Sequence, residues 1–310
     1  MRSGKIALLI CAVVSPNVYA NNIDWGQVDS QEFVLFYPGQ ASWEWLLTQH
    51  KGSKSLRKGT PCLECHETEE KQMGAALASG KKMDSDAIAG KPGSVTVSIQ
   101  AAIDADFLYL RAQWQDPEFS SGKKMDANHE TKFAVMFDDG RVKEAGVAGC
   151  WGVCHVDVAN MPSADGEKRE LYTSKSRQTI TQKGGGDKYK GVSELKALLD
   201  ENNFMEFWQA RPGKKSMETV SGYILEKRHL HQGQPVTSVA EKKDNVWTVE
   251  FKRRLKTTGD GLKKLDASTP LQIGFAIHDD YTSGRFHYVS FGKRLSLNGE
   301  KSDITVKKIH

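Results

Sequence analysis

Two pairs of cysteines, each followed directly by a histidine, are the residues of this chain best suited to chemistry. In the first pair, Cys62 and Cys65 are separated by two residues and His66 follows at once, which is the C-x-x-C-H spacing of covalent haem c attachment. The two thiols would add to the two vinyl groups on one edge of the porphyrin, and the histidine would bind the iron as an axial ligand. The spacing therefore predicts a haem c held by Cys62, Cys65 and His66.

The second pair repeats this arrangement with one more residue between the cysteines. Cys150 and Cys154 enclose a Trp-Gly-Val tripeptide, and His155 follows. Gly152 would allow the longer loop to turn tightly, because glycine adopts backbone conformations that other residues avoid. A second haem c is therefore predicted, held by Cys150, Cys154 and His155. The two haems together use every cysteine of the chain except Cys11.

Three other chemistries also use paired cysteines. Two disulfides would be usual in an exported protein of this size, and the four thiols together could form a tetrahedral zinc site. Neither explains why a histidine directly follows each pair. A thioredoxin-like redox motif would need a βαβ context, which the pattern around Cys62 does not provide.

The segment before residue 91 predicts loops and short helices. A turn is predicted at 36–39, and a helix is predicted from a cap at Ser42 through two tryptophans toward His50. Residues 51–60 are basic and lead into the first cysteine pair, and glycines over 80–93 predict a linker. We therefore predict a small loop and helix haem-bearing segment over residues 21–90.

The pattern after residue 94 is typical of β-strands. Val95, Val97 and Ile99 alternate with polar residues, and an Asp-Ala-Asp turn at 104–106 predicts a hairpin into a strand over 107–114. The further predicted elements are a helix over 193–211 and strands over 132–137, 222–227, 246–253, 271–278, 286–291 and 304–308. The fold class is therefore mainly β, with a β-sandwich that has helical excursions over residues 91–310 and carries the second haem.

Three stretches carry a family resemblance. They are Phe107-Leu108-Tyr109 with Trp114-Gln115-Asp116-Pro117, Trp247-Thr248-Val249 with Arg253-Arg254-Leu255, and Gly274-Phe275-Ala276-Ile277 with Val289-Ser290. Through them, residues 94–297 resemble the haem-binding domain of the ethylbenzene dehydrogenase and dimethyl sulfide dehydrogenase gamma subunits, which implies a DOMON-like β-sandwich. Those subunits hold a non-covalent haem b through a methionine and a lysine. With its cysteine motifs and added N-terminal haem segment, this chain is similar to a c-type cytochrome branch of the family.

Each predicted iron needs a second axial ligand beyond the histidine of its motif. For the first haem we predict His50, which stands twelve residues before Cys62 beside tryptophans that would wall a haem; the alternative is an exposed helix end. For the second haem we predict His287, because the last strands are the rigid element available. Alternation along a strand would place His287 on one face and its two aromatic neighbours on the other.

The family resemblance also favours His287. In the gamma subunits that the chain resembles, a ligating lysine stands shortly before a similar Val-Ser, where this chain has His287.

Two other residues compete for these positions. His278 ends the preceding predicted strand and competes for either haem. Met161 lies six residues after His155, and six extended residues reach at most ~20 Å, barely enough to round a porphyrin edge.

The first twenty residues predict export. Arg2 and Lys5 precede an uncharged apolar run that ends in small residues at Ala20, the layout of a signal peptide. We predict cleavage after Ala20 and a periplasmic protein; a buried N-terminal strand and a lipoprotein anchored through Cys11 are the alternatives. No later segment reaches the ~18 apolar residues of a membrane span, so no transmembrane segment is predicted in the mature chain.

Composition excludes other classes of protein. Of 310 residues, 38% are hydrophobic and 26% charged, which is usual for a globular protein. The formal net charge is +4, and without the leader 41 basic residues face 39 acidic ones. The basic pairs are scattered along the chain and no nucleic-acid-binding motif is present, so binding to nucleic acid is not predicted.

Together these patterns predict a periplasmic dihaem c-type cytochrome that transfers electrons and has no catalytic residues. Its predicted partners are a membrane-anchored multihaem cytochrome that oxidises quinol and a further redox protein. One alternative is an electron-transfer subunit of a molybdenum dehydrogenase or reductase. The other is a haem enzyme, which needs an open iron position with acid–base groups nearby, and nothing in the sequence marks such a site.

Overall fold

The computed structural model describes residues 23–39, 41, 43–80, 87–122, 124–154, 173–181, 184–185, 188–214, 216–266 and 270–309. The predicted leader lies outside these residues, as do His155 and Met161. Within the described ranges, no helix combines the length and the apolar character that crossing a membrane requires.

In chain order the strands are β1 (Ser30–Phe36), β2 (Ser94–Ile103), β3 (Phe107–Gln115), β4 (Lys132–Asp138), β5 (Ile180–Thr181), β6 (Gly184–Gly185), β7 (Met205–Pro212), β8 (Met217–Ile224), β9 (Arg228–Leu230), β10 (Val236–Lys243), β11 (Val246–Arg254), β12 (Leu271–His278), β13 (Tyr288–Val289), β14 (Lys293–Ser296) and β15 (Ile304–Lys308). The helices are α1 (Trp43–Thr48), α2 (Ser53–Arg57), α3 (Leu63–His66), α4 (Glu70–Ala78), α5 (Lys143–Ala148), α6 (Cys150–Cys154) and α7 (Val192–Asp200).

Thirteen of the described strands form one sheet, and β5 pairs with β6 separately. The sheet runs in the order β10-β11-β3-β2-β1-β13-β12-β4-β7-β8-β9, while β14 and β15 connect β12 to β2. Only β15 runs parallel to its neighbours among these pairs. Near the two ends of this order, the hydroxyl groups of Thr219 on β8 and Ser238 on β10 lie 2.7 Å apart. The sheet therefore folds back on itself.

Aromatic side chains fill the main core between the two layers of the folded sheet. Trp114 on β3 stacks on Phe133 of β4 with ring centres 5.4 Å apart, and Trp208 on β7 lies 5.8 Å from Phe251 of β11. Phe133 also stacks on Phe275 of β12 at 6.0 Å. Burying each such side chain contributes ~1.5–3 kcal/mol through the hydrophobic effect. The predicted mainly β fold, a sandwich with helical excursions, is confirmed.

The segment before residue 91 contributes a strand as well as loops and helices. β1 pairs with β2 over all seven of its residues and also meets β13, so it lies in the middle of the sheet. The predicted turn follows it, with Gly39 at a φ of 57°, a conformation that favours glycine. The boundary near residue 90 stays a prediction.

The predicted helix over residues 193–211 is wrong beyond residue 200. The helix α7 ends at Asp200, and the strand β7 begins at Met205. Asn202 between them has a φ of 60°, a left-handed conformation that ends helices. The residues that follow are buried along β7, between β4 and β8. Hydrogen bonding to strands on both sides therefore makes these residues a strand, although the spacing of their apolar residues is helical.

A second apolar cluster lies on the outer face of the sheet, opposite the main core. Trp43 and Leu56 reach it from α1 and α2, Trp151 from α6, and Phe36 and Val289 from β1 and β13. Phe36 meets Trp151 edge to face with ring centres 6.2 Å apart. The two cysteine-bearing segments therefore pack on one face of the sheet and share one apolar cluster.

Candidate haem site

The first cysteine pair stands on a single helical turn. The N–H groups of Cys65 and His66 donate to the carbonyl oxygen of Cys62 at 3.1 and 3.0 Å. Residues three and four apart lie on one side of such a turn, so both thiols and the imidazole share one side. Cys62 is buried, Cys65 is exposed, and neither is in a disulfide. Burial raises the pKa of the Cys62 thiol to about 12, so this thiol is neutral.

Glu69 holds the ring of His66. Its Oε2 lies 2.8 Å from Nδ1 of His66, three residues earlier in the chain. A carboxylate in this position accepts the Nδ1 proton and leaves Nε2 for a metal, which is the usual arrangement behind a metal-bound histidine. The sequence-based prediction missed Glu69, although its spacing of three residues from His66 is a signal that could have found it.

His50 and His66 come together in the structure. His50 follows α1, and its ring centre lies 5.8 Å from that of His66 at an interplanar angle of 60°. Trp45 flanks it at 5.3 Å. Burial lowers the pKa of His50, and the neighbouring His66 lowers it further. A lowered pKa favours the neutral imidazole that binds metals.

The separation of these rings fits a shared metal. Metal–imidazole bonds of about 2 Å on each side place two ring centres about 6 Å apart. Nδ1 of His50 accepts the Gly52 N–H at 3.0 Å. Binding a metal through Nε2 would move the ring proton to Nδ1, so the contact with Gly52 would have to break. Two thiols and two imidazoles in this arrangement fit the haem c predicted for the first motif.

The second cysteine pair lies on α6, which follows α5 after one residue. That residue, Gly149, has a φ of 86°, and a Cβ atom there would come within 2.6 Å of the backbone nitrogen of Gly292. Close packing against the chain after β13 therefore positions α6. The side chains of Cys150 and Cys154 lie outside the described part of the structure. Their ligation of a haem, and the roles of His155 and Met161, stay predictions.

The two cysteine segments contact each other through the backbone. The N–H of Cys62 donates to the carbonyl oxygen of Val147 at 2.8 Å. Val147 lies on α5, three residues before Cys150. Since Val147 also packs in the outer cluster with Cys62 and Trp151, the two predicted haem-attachment segments are direct neighbours.

His287 faces the side of the sheet that carries the cysteine segments. Tyr288 lies in the main core and Phe286 packs against it, so the predicted alternation that separates His287 from its aromatic neighbours is confirmed. Because Ala276 pairs with Val289, the next residues on that face are His278 and His287. Their rings stack with centres 4.7 Å apart and planes 9° apart.

His287 is buried and His278 is half-buried, and both imidazoles are uncharged. Burial lowers the pKa of His278 well below its usual value and lowers that of His287 to about 4. One nitrogen of His278, Nε2, lies 3.2 Å from the carbonyl oxygen of Gly284, while its Nδ1 is buried without a partner among the described residues. Parallel stacked rings cannot bind one iron from opposite sides, so in this arrangement at most one of the two could be a ligand of the predicted second haem.

Lys91 lies near this pair, and the sequence did not indicate it. Its ammonium group forms an ion pair with Asp279 and lies 4.2 Å from the ring centre of Tyr288. Burial lowers the pKa of Lys91, and Asp279 opposes that effect. The positive charge of Lys91 in turn contributes to the lowered pKa of His287. No local pattern signals this contact, because Asp279 is 188 residues away in the chain.

The fold and these residues define a haem-binding electron-transfer protein of the c type. The chain belongs to the ethylbenzene dehydrogenase family, since the family model described as "Ethylbenzene dehydrogenase" matches residues 23–290. This confirms the resemblance seen in the sequence. Within the family the chain is of the haem-binding type rather than a catalytic subunit, so the prediction of an electron-transfer protein rather than an enzyme is also confirmed.

Two cytochromes are similar to the chain over nearly its whole length. It is 35% identical over 289 residues to cytochrome c-552 of Stutzerimonas stutzeri, covering 92% of this chain and 90% of that protein. It is 29% identical over 286 residues to cytochrome c-551 of Rhodocyclus tenuis, covering 92% and 99%. A solved family 9 carbohydrate-binding module from Caldicellulosiruptor kristjanssonii, in complex with glucose, is 10% identical with a TM-score of 0.30, covering 70% of this chain and 78% of that one.

Proposed function

We propose that this chain is a periplasmic dihaem cytochrome c that relays electrons between a membrane-anchored cytochrome that oxidises quinol and a further redox protein. The 5.8 Å separation of the rings of His50 and His66 carries the proposal. Two neutral imidazoles on one iron make a low-spin centre that exchanges electrons without binding a substrate. Each haem, when bound, supplies a one-electron ferric–ferrous couple.

The second haem is proposed on Cys150, Cys154 and His155, with His287 as its other axial ligand. His278 and Met161 remain the alternatives for that position. Support comes from the hydrogen bond between Cys62 N–H and Val147, which joins the two attachment segments. Haems held on neighbouring segments would pass electrons to each other within the protein, so that one could face the donor and the other the acceptor.

The number of haems is tested by intact mass under denaturing conditions. We expect a chain that begins at residue 21 and carries two haem increments. The variant Cys62→Ala/Cys65→Ala and the variant Cys150→Ala/Cys154→Ala should each keep one increment. A wild-type mass with one increment would overturn the dihaem proposal, and a mass that includes residues 1–20 would overturn cleavage after Ala20.

The axial ligands are tested by electron paramagnetic resonance of the oxidised protein. We expect two low-spin signals in the wild type. His50→Ala and His287→Ala should each convert one haem to high spin, because an open coordination position weakens the ligand field. His129→Ala is a control, since this histidine is paired with Asp126 and Glu218.

The same spectra separate the alternatives for the second haem. If His287→Ala leaves both haems low-spin and His278→Ala does not, His278 is the ligand. If neither histidine variant changes the spectrum, Met161→Ala should do so. A high-spin haem in the wild type that binds small ligands would instead indicate a haem enzyme.

A subunit of a molybdenum dehydrogenase or reductase is the second candidate, because the family match covers residues 23–290. Such a subunit would co-purify with a large catalytic partner when isolated at natural expression levels. Isolation as a free protein with two reducible haems would favour the soluble relay.

A further inference from the structure

Seven exposed basic side chains cross the face that carries the cysteine segments. They come from the region of α2, from the start of α5 with the turn before it, and from the segment before β5. Here they are called the basic strip, and its members are Lys51, Lys54, Arg57, Lys58, Arg141, Lys143 and Lys175.

Hydrogen bonds join these three regions into one surface. Nη1 of Arg57 donates to the carbonyl oxygen of Leu47 at 2.5 Å. Nζ of Lys143 donates to the carbonyl oxygen of Arg57 at 3.0 Å, and Nζ of Lys175 donates to that of Arg141 at 3.2 Å. The seven charges are therefore held close together although the chain separates them by up to 124 residues.

The local fold turns these charges outward. Leu56 is buried in the outer cluster, so its side of α2 faces the protein and Lys54, Arg57 and Lys58 remain exposed. The carboxylate next to Lys143, Glu144, is buried and accepts the backbone N–H of Ser174 at 2.8 Å. This contact occupies the carboxylate away from the exposed surface.

Among the residues that the structure describes, none of the seven members of the strip forms an ion pair with a carboxylate. Elsewhere the exposed Lys242 pairs with Asp116, and the buried Lys263 pairs with Asp138. A cluster of like charges creates a local field, and a partner of opposite charge would be attracted to it.

The strip lies beside both cysteine segments, since α2 precedes the first pair and α5 precedes the second. Lys51 to Lys58 precede Cys62 by eleven to four residues, and Lys143 precedes Cys150 by seven. We propose that the basic strip is the surface on which an acidic redox protein docks to exchange electrons with this chain, an inference that rests on the proposed function. Electrostatic complementarity raises the rate of encounter and fixes orientation more than it raises affinity, as a relay requires.

The test measures reduction of the oxidised holoprotein by two reductants in a stopped-flow instrument. Reduced flavodoxin serves as an acidic protein probe, and reduced lumiflavin serves as a small uncharged one. The variant Lys54→Glu/Lys58→Glu/Lys143→Glu is compared with a control, Lys243→Glu/Lys256→Glu/Lys301→Glu, which reverses three exposed charges elsewhere on the sandwich.

We expect the strip variant to lower the second-order rate with flavodoxin by about tenfold or more at low salt and to remove most of its ionic-strength dependence. The control should change that rate by less than about threefold, and lumiflavin should reduce all three proteins equally. Equal losses in both variants would overturn the proposal. A protein that lumiflavin cannot reduce would instead contradict the proposed function itself.

Two further measurements exclude other roles for the strip. If the haem potentials of the strip variant shift while its salt dependence with flavodoxin stays that of the wild type, the strip serves the haem and the proposal is wrong. If the variant loses binding to vesicles of phosphatidylcholine and phosphatidylglycerol but keeps the wild-type rate with flavodoxin, the strip is a membrane surface and the proposal is also wrong.

Discussion

The contact between His66 and Glu69 is where a single side chain acts most directly on the proposed first haem. The carboxylate lies 2.8 Å from Nδ1 and would make the imidazole a stronger electron donor. An anionic partner of this kind stabilises the ferric state over the ferrous state. The first haem is therefore expected to be the one of lower potential for a given pair of histidine ligands.

Replacing Glu69 with Gln should raise the potential of the first haem. Gln keeps the shape and one acceptor oxygen but removes the charge, and a loss of about 1 kcal/mol of stabilisation of the ferric state corresponds to about 40 mV for a one-electron couple. A spectroelectrochemical titration measures both haems in one experiment. Glu67→Gln removes an equal charge from an exposed neighbour and is the control; an equal shift in both variants would show that only the general field of the protein had changed.

Among the elements, α6 depends on the glycine before it. An alanine at residue 149 would have to adopt a φ of 86° and would place its Cβ atom 2.6 Å from Gly292 N and 3.1 Å from the carbonyl oxygen of Ser290. Those atoms belong to the backbone and cannot move away without distorting the chain around residues 290–292. The second cysteine pair is therefore fixed by a contact that tolerates no side chain.

Gly149→Ala should destabilise the protein by about 2 kcal/mol or more, since it combines a strained conformation with a backbone clash. Gly146→Ala is the matched control on the same helix pair. A Cβ atom there meets no atom within 4 Å, so the helix propensity of alanine should stabilise the protein by about 0.5–1 kcal/mol. Thermal unfolding measures both, and a neutral Gly149→Ala would mean that α6 shifts to make room.

A loop before β4 depends on a carboxylate. Asp126 accepts the N–H groups of Asn128 and His129 at 3.0 and 3.1 Å and the ammonium of Lys132 at 2.9 Å. Burial alone would raise the pKa of Asp126, but the hydrogen bonds from Lys132 and Asn128 outweigh it and lower the pKa well below its usual range. A lowered pKa in the folded state means that the ionised carboxylate stabilises the fold.

This contribution should be present above about pH 4, the usual pKa of an unfolded aspartate, and should disappear as the pH falls through the lower folded value. Asp126→Asn is therefore expected to cost about 1–2 kcal/mol at pH 7 and to approach the wild type in strongly acidic solution. Urea unfolding across this range gives the comparison. The control is Asp200→Asn, which breaks an exposed pair with Lys196 and should cost less than about 0.5 kcal/mol. If the stability difference between Asp126→Asn and the wild type does not change with pH, the contribution of Asp126 is not electrostatic.

For the molecule as a whole, local sequence patterns predict which face of the sheet a side chain lies on, but not which distant residue it contacts. Alternation placed His287 opposite Phe286 and Tyr288, because the two-residue period of a strand is a local property. That His278 would be its stacked neighbour depends on the register between β12 and β13, which no local pattern specifies. The strand character of β7 was missed for a similar reason, since pairing with two neighbours overrides the helical spacing before it.

The cysteine motifs could be predicted because their chemistry requires close spacing in the chain. His50 could be proposed as an axial ligand for a related reason, because it stands only twelve residues from Cys62 in the chain. The basic strip was not, although residues 51–60 were recognised as basic. Its other members belong to segments that the fold brings alongside, and Lys143 meets Arg57 across 86 residues of chain.

A buried ion pair joins the two layers of the sandwich. Arg253 on β11 donates to both carboxylate oxygens of Glu206 on β7 at 3.1 and 3.0 Å, and both side chains are fully buried. These strands lie far apart in the hydrogen-bonded order of the sheet. Glu206 also accepts Nε1–H of Trp208 at 2.8 Å and the backbone N–H of Lys263 at 2.7 Å, so one carboxylate serves three segments.

Arg253→Met should therefore cost about 3–5 kcal/mol, because it leaves the carboxylate of Glu206 buried without its counter-ion. Adding Glu206→Met should restore only part of that loss, since the donors on Trp208 and Lys263 would then lack an acceptor. The exposed Arg254 is the control, and Arg254→Met should change stability by less than about 1 kcal/mol. Urea unfolding of the holoprotein measures the stability of all these variants. A shift in the urea concentration at the midpoint, with the slope of the transition unchanged, reports a change in the free energy of unfolding. If Arg253→Met costs no more than Arg254→Met, the ion pair does not hold the layers together, and their attachment rests on the aromatic core between them.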